Sequence, residues 1–98
     1  MALKVSATSR REGQDEVTRV TVENPGPALA FFVHLKINRG AGGEEILPVI
    51  WEDNYFALMP GEKRDLSATY AARSLQGNSA VVALDGWNAT ENATPVMR

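Results

Sequence analysis

A chain of 98 residues with 44% hydrophobic and 22% charged side chains has apolar material for one buried core, too little length for two, and none of the compositional marks of disorder. Its formal net charge of -2 supplies no basic excess to neutralise phosphates, which argues against nucleic acid and anionic membranes as partners. The absence of cysteine removes disulfides, thiolate nucleophiles and cysteine-based zinc sites together.

Leu3, Val5 and Ala7 alternate with Lys4, Ser6 and Thr8, the period-two pattern of a strand with one apolar face. The polar run Arg10 to Asp15 contains Gly13 and reads as a hairpin turn into a second strand, Val17 to Glu23, with Val20 and Val22 inward. Asn24-Pro25-Gly26-Pro27 ends that strand, because proline lacks a backbone donor and restricts the residue before it. Leu29, Phe31, Val33, Leu35 and Ile37 then alternate with Ala30, Phe32, His34 and Lys36, which predicts a central core strand carrying the first set inward.

Arg39-Gly40-Ala41-Gly42-Gly43 lacks the strand-to-helix context of a phosphate loop and reads as a flexible connection. Glu45 to Trp51 is extended, and Pro48 confines it to a sheet edge or bend. Met59-Pro60-Gly61-Glu62 places proline and glycine at the centre of a type II turn. Beyond it, Leu66, Ala68 and Tyr70 alternate with Asp65, Ser67 and Thr69, and valine-rich Ala80 to Trp87 forms the last expected strand. Tyr70 to Gln76, ended by Gly77, is too short for an independent helix and reads as a connecting turn.

About seven strands with closely spaced turns predict an all-β, immunoglobulin-like sandwich of two antiparallel sheets over residues 1–88. Residues 89–98 are expected as a flexible polar tail. No apolar run approaches the roughly 18 residues of a membrane span, and Met1-Ala2-Leu3-Lys4-Val5 lacks a signal-peptide core. That abrupt start at a strand suggests a piece of a longer protein.

Side chains able to do chemistry are sparse. His34, the single histidine, falls on the outward set of its strand with no nucleophile-elbow motif to serve. Glu44-Glu45 and Glu52-Asp53 are adjacent pairs whose members point to opposite faces of a strand, unlike two carboxyls converging across a glycosidic bond. Asn88-Ala89-Thr90 and Asn92-Ala93-Thr94 fit the N-glycosylation pattern, which matters only in a eukaryotic secretory pathway. No cofactor is expected. Trp51, Tyr55, Phe56 and Trp87 stand out, because aromatics near loops either fill a sandwich core or stack on a sugar or another domain.

The run Ile46-Leu47-Pro48-Val49-Ile50-Trp51-Glu52-Asp53-Asn54-Tyr55-Phe56-Ala57-Leu58-Met59-Pro60-Gly61-Glu62 resembles the C-terminal immunoglobulin-like domain of glycoside hydrolase family two exoglycosidases, which include β-mannosidases and exo-β-D-glucosaminidases. Asn24-Pro25-Gly26, Phe31-Phe32-Val33 and Leu84-Asp85-Gly86-Trp87-Asn88 extend the resemblance to roughly Asn24 to Asn88. It implies an accessory domain of a periplasmic or secreted parent enzyme, whose catalytic glutamates lie in a separate barrel, so that no catalytic residue falls in this chain. The expected partners are the other domains of that parent, with Trp51, Asp53, Asn54, Tyr55, Phe56 and Trp87 as candidate interdomain or sugar contacts. The alternative is a carbohydrate-binding module that stacks a sugar ring on Trp51, Tyr55 or Trp87.

Overall fold

A computed structural model describes residues 2–40, 42–52 and 56–97. These residues form eight strands: β1 (Lys4–Glu12), β2 (Asp15–Glu23), β3 (Ala30–Arg39), β4 (Ile50–Trp51), β5 (Phe56–Leu58), β6 (Lys63–Ala71), β7 (Ala80–Asp85) and β8 (Asn92–Pro95). A single 3-10 turn covers Ala72–Leu75, where the sequence predicts a connecting turn. The strands make two antiparallel sheets, ordered β1-β2-β6-β4 and β5-β3-β7-β8. This is the expected all-β, immunoglobulin-like sandwich, and its radius of gyration of 13.0 Å is that of a packed chain of this length.

The core follows from the alternation. Val20 and Val22 on β2 and Leu66 and Ala68 on β6 bury one face, and Val33, Leu35 and Ile37 on β3 with Val82 and Leu84 on β7 bury the other. Leu35 lies opposite Leu84 and Ile37 opposite Val82, so these cross-strand pairs reinforce the sheet that supplies them. The β1–β2 turn is tighter than expected: both strands continue until only Gly13 and Gln14 remain between them. Gly13 has φ 62°, the sign that tight hairpin turns demand.

Three departures from the period-two expectation matter. On β3 the alternation breaks, because Ala30 pairs with Leu58 and Val33 with Phe56, leaving Phe31 and Phe32 to oppose Ala57 alone. This bulge buries Ala30 and turns both phenylalanines outward, so Phe31 does not join the inward set. Of the extended run Glu45 to Trp51, only Ile50–Trp51 is a strand; Ile46 dips into the core while its N–H donates to Ile37 O at 2.8 Å.

The third departure corrects the tail. Asn92–Pro95 pairs along β7, after which the Val96 N–H donates to Ala80 O at 3.1 Å. The Met97 N–H then donates to Ala7 O at 2.9 Å, and Met97 O accepts from the Ser9 N–H at 2.8 Å, so this segment ties one sheet to the other. Its polar side chains conceal it, because an edge strand held by backbone bonds needs no apolar face.

Two further features lock the sandwich. Glu16, only 2% exposed, is an inward carboxylate on β2 that accepts from Ser9 Oγ at 2.6 Å. Ser9 and Thr18 hydroxyls lie 3.1 Å apart and those of Thr18 and Tyr70 2.8 Å apart, a polar chain that keeps buried groups partnered.

At the opposite end, the buried Asn24 side chain donates to Ala28 O (2.8 Å) and Leu58 O (3.1 Å) and accepts from the Gly26 N–H (3.0 Å). Its backbone O accepts from the Gly61 N–H at 2.8 Å, docking the expected Pro60-Gly61 turn, in which the Glu62 N–H donates to Met59 O at 2.9 Å. Replacing this side chain orphans three backbone groups, so Asn24→Ala should lower unfolding stability by on the order of 3 kcal/mol in denaturant titration.

Glu62 closes the same turn. Its carboxylate accepts from the Met59 N–H at 2.8 Å and from Arg64 at 3.0 Å, and these bonds, the backbone one foremost, hold its pKa below the ordinary 4.5 against the opposing effect of burial. A depressed folded-state pKa contributes stability that is complete above the unfolded value and lost as pH falls through the folded one. Glu62→Gln should therefore flatten the decline of the melting temperature below about pH 4.5, measured by a thermal series in acid.

Candidate functional site

The aromatic residues singled out in the sequence fall into different environments. Trp51 sits on the short edge strand β4, half-buried and packed against the core. Phe56 is 7% exposed, inward on β5, with the Arg64 guanidinium 4.9 Å over its ring. Asp53, Asn54 and Tyr55 lie outside the described residues. Trp87, just beyond β7, is 76% exposed.

Trp87 has company that the strand pattern concealed. Its ring meets Phe31 edge-to-face, with centroids 5.6 Å apart and planes at 68°. Phe31 is 37% exposed and its neighbour Phe32 66% exposed, so three aromatic side chains share this end of the sandwich. Two successive phenylalanines in one strand cannot both face a core on one side, and that is the signal that could have located the bulge.

The backbone beneath them is fixed by local chemistry. The Asn88 amide spans the bulge: its Nδ2 donates to Leu29 O at 2.8 Å and its Oδ1 accepts from the Phe31 N–H at 2.8 Å. The Trp87 N–H donates to Phe31 O at 3.1 Å. Gly86 eases the close approach, because a Cβ there would crowd Phe31 O and the Ala89 Cβ, each 3.2 Å away. Phe32 itself has φ 50°, a left-handed conformation that is strained for a bulky L-residue.

Among the described residues, the other candidate groups sit in separate local contacts. His34 Nδ1 lies 3.4 Å from Asp85 Oδ1 across the β3–β7 pair, on the outer face of the sheet. Glu44 pairs with Arg39 at 3.3 Å, and Glu52 accepts from the Ser67 N–H at 3.0 Å, so the carboxylates serve separate local contacts. The Asn88 amide of the first glycosylation pattern is bonded to the backbone on both sides of Ala30, and a glycan on its nitrogen would compete with that brace. Among the described residues no group of three or more His, Cys, Asp or Glu side chains is placed to hold a metal ion. No described helix is long and apolar enough to cross a membrane.

Fold and site together define an immunoglobulin-like sandwich that presents an aromatic end. The chain belongs to the family described as the exo-β-D-glucosaminidase Ig-fold domain, whose model matches residues 1–89. It is 41% identical over 98 residues to an exo-β-D-glucosaminidase of Streptomyces avermitilis, a match covering 93% of this chain and 10% of that protein. A mannosylglycoprotein endo-β-mannosidase of Lilium longiflorum is 30% identical over 100 aligned positions, covering 96% of this chain and 10% of the relative. The crystal structure of the Amycolatopsis orientalis exo-chitosanase CsxA superposes with a TM-score of 0.90 at 33% identity, over 96% of this chain and 11% of that one. The chain thus spans about a tenth of the length of these relatives.

Strain at Phe32 leads to a measurable consequence. Asparagine tolerates the left-handed region, and the lost ring is mostly exposed, so Phe32→Asn should raise the stability of the chain by about 1 kcal/mol in denaturant titration. A loss of stability would mean that the ring supports the fold.

Proposed function

We propose that this chain is a non-catalytic accessory domain of an exo-β-D-glucosaminidase-type glycoside hydrolase, packing against and supporting the other domains of that enzyme. The observation that carries this reading is one of proportion: almost the whole chain matches about a tenth of each related enzyme. The dispersal of His34, Glu44 and Glu52 into separate contacts supports a domain that leaves bond cleavage to another part of the polypeptide. Of the candidate contact residues that the structure describes, Trp87, with its ring in solvent, is the best disposed to meet a neighbour.

Two measurements test the role. The purified chain should release no p-nitrophenol from p-nitrophenyl β-D-glucosaminide or β-mannoside, and turnover by the chain alone would overturn the non-catalytic assignment. Removing the matching segment from the Amycolatopsis orientalis enzyme should lower its melting temperature, and grafting this chain in its place should restore it. An enzyme indifferent to the removal would overturn the supporting role.

A further inference from the structure

We propose that the end of the sandwich formed by Phe31, Phe32 and Trp87 is the face on which the adjoining body of a longer glycoside hydrolase chain docks. This inference rests on the accessory role and adds which surface performs it.

Composition marks this face. No charged residue occurs from Asn24 through Val33, nor from Gly86 through Thr90, in a chain where 22% of residues are charged. These are the two segments that the Asn88 amide and the Trp87 N–H join. Interface centres are depleted in charge and enriched in aromatic anchors, which is the composition found here.

Rigidity is the second mark. The bulge holds Phe32 left-handed and outward, and the Gly86–Asn88 segment braces the backbone beside it, so the backbone that carries the rings is already set at the moment of contact. Strain in a bulky residue persists only where the surroundings over-determine it.

Chemistry selects the occupant. A sugar ring needs polar groups converging around its hydroxyls, yet the Asn88 amide beside the rings is already bonded to backbone through both its oxygen and its nitrogen. An apolar protein surface needs none, and in related enzymes about nine tenths of the polypeptide lies outside the matching segment, since this chain covers 10 to 11% of them. The occupant is therefore a charge-poor, apolar surface of that remaining polypeptide.

The test uses the isolated chain and the same chain grafted into the Amycolatopsis orientalis enzyme, each with Phe32→Asn and with Phe32→Asn plus Trp87→Ser, followed by calorimetry. Phe32→Asn should raise the isolated chain's melting temperature by about 4 °C yet lower that of the graft, and the double variant should split the graft's single transition into two. Opposite signs in the two settings are the signature of a docking face.

A graft that melts separately before any substitution would overturn the accessory role itself. A graft that melts with the enzyme and ignores both variants would overturn only this face. Quenching of tryptophan fluorescence by glucosamine oligomers in the isolated chain, abolished by Trp87→Ser, would reassign the face to carbohydrate. Sedimentation of the isolated chain as a dimer that Trp87→Ser dissolves would reassign it to a second copy.

Discussion

The Asn88 side-chain amide takes the place of a strand partner where β3 departs from its ladder, and the architecture of the aromatic end depends on that substitution. An extra residue in a strand leaves backbone groups without ladder partners, and such groups cost free energy unless something else bonds them. Here the Leu29 carbonyl and the Phe31 amide are taken up by one asparagine, and the Phe31 carbonyl by the amide of Trp87. With those bonds made, the chain can carry Ala30 and Val33 inward and two phenylalanines outward in between. Glycine at position 86 eases the arrangement, since a Cβ there would crowd the Phe31 carbonyl and the Ala89 side chain, each 3.2 Å away.

Much of the sandwich is legible in the sequence because local and global preferences agree. Val20 with Val22, Leu66 with Ala68, and Leu35 with Ile37 occupy the inward positions that alternation assigns them. The Met59-Pro60-Gly61-Glu62 turn forms where its chemistry requires, with Gly61 at φ 77°. What stays hidden in the sequence depends on partners distant along the chain. Glu16 shares the inward parity of Val20 and Val22, and its partner Ser9 is brought beside it only by the hairpin. The strand at Asn92–Pro95 reads as a tail because its attachment is made by backbone groups, to which side-chain patterning is blind. Of the candidate contact residues, Trp51 and Phe56 are drawn toward the core and Trp87 is left in solvent, a division that aromatic character alone cannot make.

Both ends of the sandwich thus rely on polar side chains inside or beside an apolar fold. At one end Ser9, Glu16, Thr18 and Tyr70 share hydroxyl and carboxylate contacts. At the other Asn24 fastens the β2 exit to the β5–β6 turn, and Glu62 with Arg64 closes that turn beside the Phe56 ring. Such groups fix where loops lie relative to the sheets, which suits a domain whose proposed task is to hold one surface in a set orientation toward a neighbour.

The two-for-one mismatch opposite Ala57 also separates two kinds of constraint along a single strand. Its bracing bonds run between an asparagine, a tryptophan amide and main-chain atoms, and none of them reads the side chains at positions 31 and 32. Those rings can therefore be exchanged for others while Ala30, Val33 and the interior stay as they are, which leaves the chemistry of this outer face free to vary without rebuilding the scaffold.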